Sequence, residues 1–371
     1  MTLSLRQARR LVLEAQGLCG PVLGKGRAGA LAALERLGYV QIDTISVVER
    51  AHHHTLWARV PGYVPAMLDA LLREGAAFEY WSHAAAVLPM RDYRFSLPRK
   101  LAFRKGRRHW HRRDSRARAW VLDRIRAEGA LRSADFEPPR GRKPGPWFEW
   151  KPAKVALEQL FQEGLLMVAG RTGFQKLYDL TERVLPPGVD AREPDAREAA
   201  RHLVLSGLRA HGPASEAELC YQRRGVRRAV RAALRELEEA GEVLRVRIEG
   251  RGEEDFILKA ALETPPADPG GRVRILSPFD NLVIQRRRLE RLFGFGYQIE
   301  CYLPAEKRRY GYFCLPVLRG ESLVGMLDAK ADRGTRTLRL KSLHLDPAPF
   351  REEFEEELGR FARFNGCRSW E

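Results

Sequence analysis

A fixed order of predicted elements recurs along the chain, and this repeat constrains the fold more than any other feature of the sequence. The spacing of apolar residues predicts a helix, a short helix, a second long helix and a two-strand hairpin, over 194–212, 215–222, 226–241 and 242–258. This order is typical of the winged helix, a relative of the helix-turn-helix.

A second copy of the same order is predicted over residues 117–180. It has a helix over 117–129, Ser133 as a helix cap, a Pro/Gly-rich turn, a helix over 151–164 and a hairpin whose turn is 170–173. A third, N-terminal copy is predicted from helices over 3–16 and 28–37, Gly38 as a C-cap and an extended segment over 39–48. Repeats of this kind favour DNA binding more than catalysis.

The composition changes after a Pro/Asp/Gly-rich boundary at 264–271. Short apolar runs with turns, among them 297–304, predict an antiparallel β domain, and 349–364 predicts a terminal amphipathic helix. We therefore predict an α+β chain of tandem winged-helix domains followed by a β-barrel-like domain. The predicted domains are 1–98, 99–190, 191–266 and 267–371.

Net charge indicates the kind of partner. The chain has 65 Lys and Arg against 48 Asp and Glu, a net charge of +17, and 54 of the 65 cations are arginine. GC-rich codon usage explains arginine in place of lysine but not the net charge. A surplus of this size on a folded chain favours a polyanionic partner, usually nucleic acid.

The densest cluster of cations lies in residues 99–118, which carry ten Lys or Arg and one acid, with Phe103 and Trp110 among them. A solvated charge run is the simplest interpretation. Cations interleaved with aromatic residues also fit phosphate contact with occasional stacking on bases or sugars. The residues expected to contact DNA here are Arg104, Lys105, Arg107, Arg108, Arg112 and Arg113.

No targeting or membrane segment is expected. No stretch approaches the roughly 18 apolar residues of a membrane helix, and Arg and Glu interrupt the N-terminus where a signal peptide would be apolar. Five scattered cysteines suggest neither a disulfide framework nor a zinc site. A cytoplasmic chain with reduced thiols is expected.

The sequence does not suggest a cofactor or a metal. Walker, HExxH and GxSxG motifs are absent from it. The adjacent histidines 52–54 cannot all point the same way, so a metal site built from them alone is geometrically poor. We expect His53, His54 and His83 to line a cleft that faces DNA instead.

One short motif has catalytic potential. Gln41-Ile42-Asp43 lies in the predicted extended segment, where side chains two residues apart share a face, so Gln41 and Asp43 project together while Ile42 faces the core. A carboxylate beside an amide can hold one water molecule, the carboxylate as proton acceptor and the amide as orienting group. An ordinary surface strand also shows this pattern by chance.

Three long stretches carry a family resemblance. Residues 37–63 (LGYVQIDTISVVERAHHHTLWARVPGY), 79–95 (EYWSHAAAVLPMRDYRF) and 277–318 (beginning SPFDNLVIQRRRLERLFGFG) resemble signatures of the winged-helix DNA glycosylases, the crosslink-repair family known as AlkZ/YcaQ. The resemblance spans about residues 3 to 365. It implies tandem winged helices followed by a β-barrel, as the element order predicts independently.

The resemblance also implies a reaction. The family's catalytic motif is Gln-apolar-Gln in one branch and Gln-apolar-Asp in the other, and Gln41-Ile42-Asp43 matches the second. That branch is associated with N7-alkylated purines and with unhooking of interstrand crosslinks. The expected enzyme is a monomeric, nucleoid-associated glycosylase that acts on double-stranded DNA, with Gln41 and Asp43 as catalytic residues.

Such a lesion suits a site with a single carboxylate. An N7-alkylated purine carries positive charge and leaves without much help from an acid, while the carboxylate stabilises positive charge on the deoxyribose. Residues 38–63 contain no Lys, so a Schiff-base lyase step is not expected. The alternatives are a catalytically silent winged-helix regulator and a metal-dependent nuclease that uses the histidines.

Overall fold

The structure is a computed structural model that describes residues 1–20, 23–136, 152–346 and 350–371. The Pro/Gly-rich turn predicted in the second copy and the predicted start of the C-terminal helix at 349 lie outside these residues. The helices are α1 (Leu5–Ala15), α2 (Gly26–Leu37), α3 (Ala51–Trp57), α4 (Pro65–Arg73), α5 (Leu97–Arg104), α6 (Ser115–Glu128), α7 (Pro152–Gln162), α8 (Thr181–Val184), α9 (Ala196–His211), α10 (Glu216–Leu219), α11 (Arg227–Glu239), α12 (Arg286–Phe293) and α13 (Arg351–Phe364).

Strands accompany these helices along the whole chain, which confirms the predicted α+β class. The strands are β1 (Thr2–Leu3), β2 (Val40–Gln41), β3 (Ala77–Trp81), β4 (Ala85–Pro89), β5 (Leu131–Arg132), β6 (Leu166–Thr172), β7 (Gln175–Leu180), β8 (Val243–Ile248), β9 (Glu254–Leu258), β10 (Val273–Ile275), β11 (Cys314–Arg319), β12 (Ser322–Asp332), β13 (Thr337–Leu345) and β14 (Ser369–Trp370). No helix among the described residues is long and apolar enough to cross a membrane.

Two compact units make up the described chain. The larger unit comprises Met1–Leu68, Ser82–Val87 and Ala196–Glu371, and the smaller unit comprises Asp69–Trp81 and Leu88–Asp195. The larger unit thus joins the two ends of the chain. The four predicted domain boundaries stay a prediction.

The smaller unit packs α6 and α7 beside a sheet of order β5-β7-β6. Asp114 caps α6 by accepting the N–H of Ala117 at 3.0 Å, and Gly129 (φ 87°) ends the helix. Val121 and Ile125, one turn apart on α6, are fully buried in the core of the unit.

Two local predictions in this region are wrong. The register pairs Gly170 with Leu177 and Thr172 with Gln175, so the hairpin turns at Gly173-Phe174 instead of at 170–173. Glycine is common in turns, so the sequence offers both Gly170 and Gly173 as turn residues. Strand β6 continues past Gly170. Ser133 opens a 3-10 turn, Ser133–Asp135, in which it occupies the first position and not the cap.

In the larger unit, α9, α10 and α11 are followed by the hairpin β8–β9, which confirms the predicted order of elements in 194–258. Ser215 and Glu218 form a capping box at α10. The apolar face of α11 is buried in the core beside α9, and β1 adds to the hairpin as a parallel neighbour of β8.

The N-terminal helices form as predicted, and Gly38 ends α2 in the left-handed conformation (φ 74°), with its N–H bonded to Leu34 O. The extended segment after it is shorter than predicted. Only β2 pairs as a strand, with Val40 opposite Val87 and Gln41 opposite Ala86 of β4. The remainder of 39–48 is irregular.

The C-terminal strands form one sheet of order β10-β11-β12-β13-β14. The prediction of an antiparallel sheet needs correction, because β14 pairs parallel with β13 and the sheet is mixed. The predicted strand at 297–304 is irregular backbone. Residues 286–293, where no helix was predicted, form α12, which buries Leu289, Leu292 and Phe293 on one face despite its run of arginines.

A fully buried ion pair joins the N-terminal helices to the segment before α12. Arg59 donates Nη1–H to Asp280 Oδ2 at 2.6 Å and Nη2–H to Oδ1 at 2.9 Å, and both side chains are 0% exposed. Arg59 also donates to Gln16 O and Thr55 O, while Asp280 accepts the N–H of Leu282. Every charge in the pair therefore has hydrogen-bond partners, as a buried pair requires.

Asp280→Asn should lower the free energy of unfolding by about 3–5 kcal/mol, because it leaves the Arg59 guanidinium buried without a counter-charge. Urea unfolding followed by circular dichroism measures the change. Glu355→Gln is the control, since it removes one partner of an exposed pair with Arg351 and should leave stability unchanged. An Asp280→Asn chain as stable as the wild type would show that the pair does not stabilise the fold.

Candidate active site and candidate DNA-binding segment

Gln41 ends β2, and its amide is oriented by one neighbour. The side chain is buried, and His83, in the turn before β4, donates its Nε2–H to Gln41 Oε1 at 3.0 Å. The amide nitrogen of Gln41 has no acceptor among the described residues. The two N–H bonds of the amide are therefore left for a water molecule or a substrate.

His83 acts here as a neutral donor. Burial, with a smaller contribution from the Arg223 cation, lowers the pKa of His83 to about 4. The ring therefore carries a single N–H at neutral pH, and the contact with the Gln41 carbonyl oxygen, which only accepts, places it on Nε2. Tyr39 and Tyr221 hold the ring edge-on, with centroids 5.2 and 5.4 Å away.

Asp43 lies two residues beyond Gln41, after the strand has ended. Its Oδ1 accepts the N–H of Ile45 at 2.7 Å, which leaves Oδ2 without a donor among the described residues. Burial raises the pKa of Asp43, although the Ile45 N–H and the Arg50 cation oppose the shift. Ile42, expected to face the core, is only half-buried, and its N–H bonds to Ala85 O.

Residues 300–302 contribute groups that the sequence analysis missed. Burial first, and the charge of Asp43 second, raise the pKa of the Cys301 thiol, which places Cys301 within electrostatic reach of that carboxylate. Tyr302 beside it is 75% exposed. Glu300 fixes the segment by accepting three backbone N–H groups, from Arg309, Tyr310 and Gly311. The sequence analysis predicted this stretch as a strand, and for that reason it did not identify Cys301 and Tyr302 as neighbours of Asp43.

Two further contacts set the backbone on either side of the Gln41–His83 bond. Asn281, next to the buried Asp280, donates Nδ2–H to Tyr39 O at 3.1 Å. Arg223 donates Nη2–H to Ser82 Oγ at 3.0 Å. The strand that carries Gln41 and the turn that carries His83 are thus each tied to a distant part of the larger unit.

The remaining predicted histidines differ in accessibility. His53 is half-buried, and its Nδ1 lies 2.9 Å from the Tyr63 hydroxyl. His54, expected to face DNA, is 1% exposed, donates Nε2–H to Ile275 O at 2.9 Å and packs on Phe361. The expectation for His54 needs correction, because a ring in the core offers DNA no surface.

In the smaller unit, a buried carboxylate organises the predicted DNA-binding segment. Glu163 is 3% exposed and accepts from His109, Arg113 and Arg118, at distances between 2.6 and 3.2 Å. Arg104 donates to the backbone carbonyls of Glu163 and Gly164. Two of the six predicted cations, Arg104 and Arg113, therefore hold the segment in place.

The other four of the six predicted cations are exposed to solvent. Arg107 is exposed and stacks over the Phe103 ring at 5.2 Å. The side chains of Lys105, Arg108 and Arg112 are exposed and make no hydrogen bond or ion pair within the described part of the chain. In the same described part, no three His, Cys, Asp or Glu side chains are grouped so that they could hold a metal ion.

Comparison with known proteins places this arrangement in a family. A family model described as DNA glycosylase AlkZ-like matches residues 34–364, which include Gln41, Asp43, His83 and the basic segment. The chain belongs to this AlkZ-like family of DNA glycosylases, and it is a DNA repair enzyme. The resemblance inferred from the sequence is confirmed, and the alternative of a catalytically silent regulator loses its support.

A solved structure has the same fold. DNA glycosylase AlkZ of Streptomyces sahachiroi matches with a TM-score of 0.64, covering 100% of this chain and 99% of that chain at 17% sequence identity.

Ionisation of Asp43 should destabilise the folded state. Its pKa is raised in the folded state, so any stabilisation is present below the ordinary Asp pKa of about 3.9 and is lost as pH rises through the raised value. Asp43→Asn should therefore melt higher than the wild type at pH 7, by a margin that shrinks as pH falls, as scanning calorimetry would measure.

Asp332→Asn is the matched control. Backbone N–H groups of Thr335 and Gly334 lower the pKa of Asp332, so this variant should melt lower than the wild type at neutral pH. A lower melting temperature for Asp43→Asn at pH 7 would contradict the argument.

Proposed function

We propose that this DNA glycosylase hydrolyses the N-glycosidic bond of N7-alkylated purines, including purines joined in interstrand crosslinks, with Gln41 and Asp43 as its catalytic residues. The observation that carries the proposal is a free carboxylate oxygen on Asp43 two residues from a free, fixed amide N–H2 on Gln41. One group accepts a proton from water and the other orients that water.

The electrostatics of the site support a cationic substrate. Asp43 is partly removed from solvent, where a negative charge acts more strongly on a neighbouring positive charge than it does in water. The deoxyribose gains positive charge as its bond to the base breaks, and the carboxylate stabilises it. An N7-alkylated purine needs no acid to leave, and the neutral His83 supplies none, because its single N–H is bonded to Gln41.

We propose that the protein acts as a monomer on double-stranded DNA and is associated with the nucleoid. Two modules are proposed to be winged helices: α9–α11 with β8–β9 and β1, and α6–α7 with β5, β7 and β6. Their support is the order of helices followed by a hairpin, and the third, N-terminal copy rests on sequence alone. His53 and the exposed cations of the basic segment are proposed to contact DNA.

Release of N7-methylguanine from a duplex in single turnovers tests the catalytic pair. Asp43→Asn should slow release by about 10²–10⁴-fold, because it removes the proton acceptor. Gln41→Ala should slow it by about 10–10²-fold, since it removes only a neutral orienting hydrogen bond. The double variant should be no slower than Asp43→Asn, because no activated water is left to orient.

Asp332→Asn, an acid-to-amide change outside this pair, is the control and should release the base at the wild-type rate. The product should be an intact abasic strand that breaks only after hot alkali, because residues 38–63 contain no Lys to form a Schiff base. Near wild-type release by Asp43→Asn would overturn the assignment of the pair.

Binding to undamaged duplex at increasing salt tests the basic segment. Changing Lys105, Arg108 and Arg112 together to Gln should flatten the plot of log affinity against log salt, by about 0.9 for each phosphate that the variant no longer neutralises. Changing three exposed cations at the end of the chain, Arg351, Arg363 and Arg368, to Gln alters net charge equally and should leave the slope nearly unchanged. Equal slopes for both triple variants would mean that the segment is ordinary solvated surface.

A further inference from the structure

The basic segment holds an exposed aromatic ring on a fixed backbone. Trp110 is 74% exposed, and the only ring it touches among the described residues is Trp81, at 5.9 Å. On each side the chain is anchored, by the bond from His109 to Glu163 and by Gln159, whose Nε2 donates to the carbonyls of His111 and Arg112. The backbone that carries this exposed ring is therefore held in place on both sides.

A pocket opens beside this ring. It has a volume of about 150 Å³, and its lining includes Trp110, Phe103, Arg107 and Arg108 on one side and Gln159 and Gln162 of α7 on the other. An engineered cavity of about 150 Å³ binds one benzene molecule, so a pocket of this volume has room for one planar ring system.

The ring available for stacking in this pocket is Trp110. Phe103 is already covered, by the parallel ring of His109 at 4.6 Å and by the guanidinium groups of Arg99 and Arg107 at 5.1 and 5.2 Å. Trp110 has no such cover within the described part of the chain, and exposed cations flank it on both sides. Aromatic rings among cations are the arrangement by which proteins bind unpaired nucleotides.

The opposite wall of the pocket is formed by one side of α7. Gln159 and Gln162 lie three residues apart on α7 and therefore on the same side of the helix. Both side chains are buried, and neither Oε1 has a donor among the described residues. Their amide nitrogens are engaged with His111 O, Arg112 O and Glu158 Oε1, which fixes the oxygens as acceptors. Both oxygens are shielded from solvent, so stacking on Trp110 and the flanking cations carry the binding in this pocket.

We infer that the pocket between Trp110 and α7 is a second nucleobase site, which binds one unpaired base of a DNA strand outside the catalytic pair. The base stacks on Trp110 and packs against α7, while the phosphates on either side lie against Arg107 and Arg108. The inference rests on the proposal that the basic segment contacts DNA, and it adds a preference for DNA with an unpaired nucleotide.

Anisotropy binding with three undamaged, labelled DNAs tests the site: a duplex, the same duplex with one bulged nucleotide, and that bulge with a tetrahydrofuran in place of its nucleoside. The wild type should bind the base-containing bulge about tenfold more tightly than either other DNA, as expected for one stacked base. Trp110→Ala should remove the preference, and Trp110→Phe should keep most of it.

Lys105→Gln is the control, because it removes a neighbouring charge but no ring and should weaken binding to all three DNAs equally. A wild type without the preference, or Trp110→Ala with it, would overturn the inference. Free dGMP that competes as effectively as bulged DNA would also overturn it, because the pocket would then be a site for a free nucleotide.

Release of N7-methylguanine by the wild type, measured on the same preparation, separates the two proposals. Release without a bulge preference means that only the second base site is wrong. A bulge preference without release means that only the proposed reaction is wrong.

Discussion

The Arg59–Asp280 pair is the constraint on which the larger unit depends. Its two side chains are withdrawn from water. This is tolerable only because the guanidinium and the carboxylate meet in a bidentate contact, and backbone groups and Gln16 Oε1 supply further hydrogen bonds. Asn281, the next residue, bonds to the backbone of Tyr39, two residues before Gln41. The candidate catalytic strand is thus positioned by a part of the chain about 240 residues away.

A chain of orienting contacts also determines what Gln41 presents. A glutamine amide offers a donor or an acceptor according to how it is turned, and a neutral imidazole has the same ambiguity. Here burial keeps His83 neutral, its N–H is bonded to the Gln41 carbonyl, and the Gln41 N–H2 group is left without an acceptor among the described residues. With its oxygen turned towards His83, Gln41 keeps its N–H2 group as the remaining donor, which suits a site that must orient water.

The sequence predicted the repeating helix–hairpin order, the helix end at Gly38 and the Gln-apolar-Asp motif, because each depends on residues close together in the chain. It failed where distant contacts decide. His54 was expected to face DNA, but Ile275 and Phe361 enclose it. The role of Glu163 was not visible, since the side chains it gathers, His109, Arg113 and Arg118, lie 45–54 residues away. Helix α12 was missed because three arginines precede its apolar residues.

The interleaving of the two units along the chain has a consequence for synthesis on the ribosome. Most of the smaller unit is one continuous segment, Leu88–Asp195, and domains tend to fold as units when their last residues emerge. The larger unit cannot do so, because Arg59 has no counter-charge until Asp280 is made, and β1 has no neighbour until β8 is made. At the roughly 5–20 residues per second of translation, the N-terminal helices wait for about ten seconds or more with their apolar faces uncovered. The nascent chain is therefore most exposed to aggregation and proteolysis at its N-terminal end, while the middle of the chain is already folded.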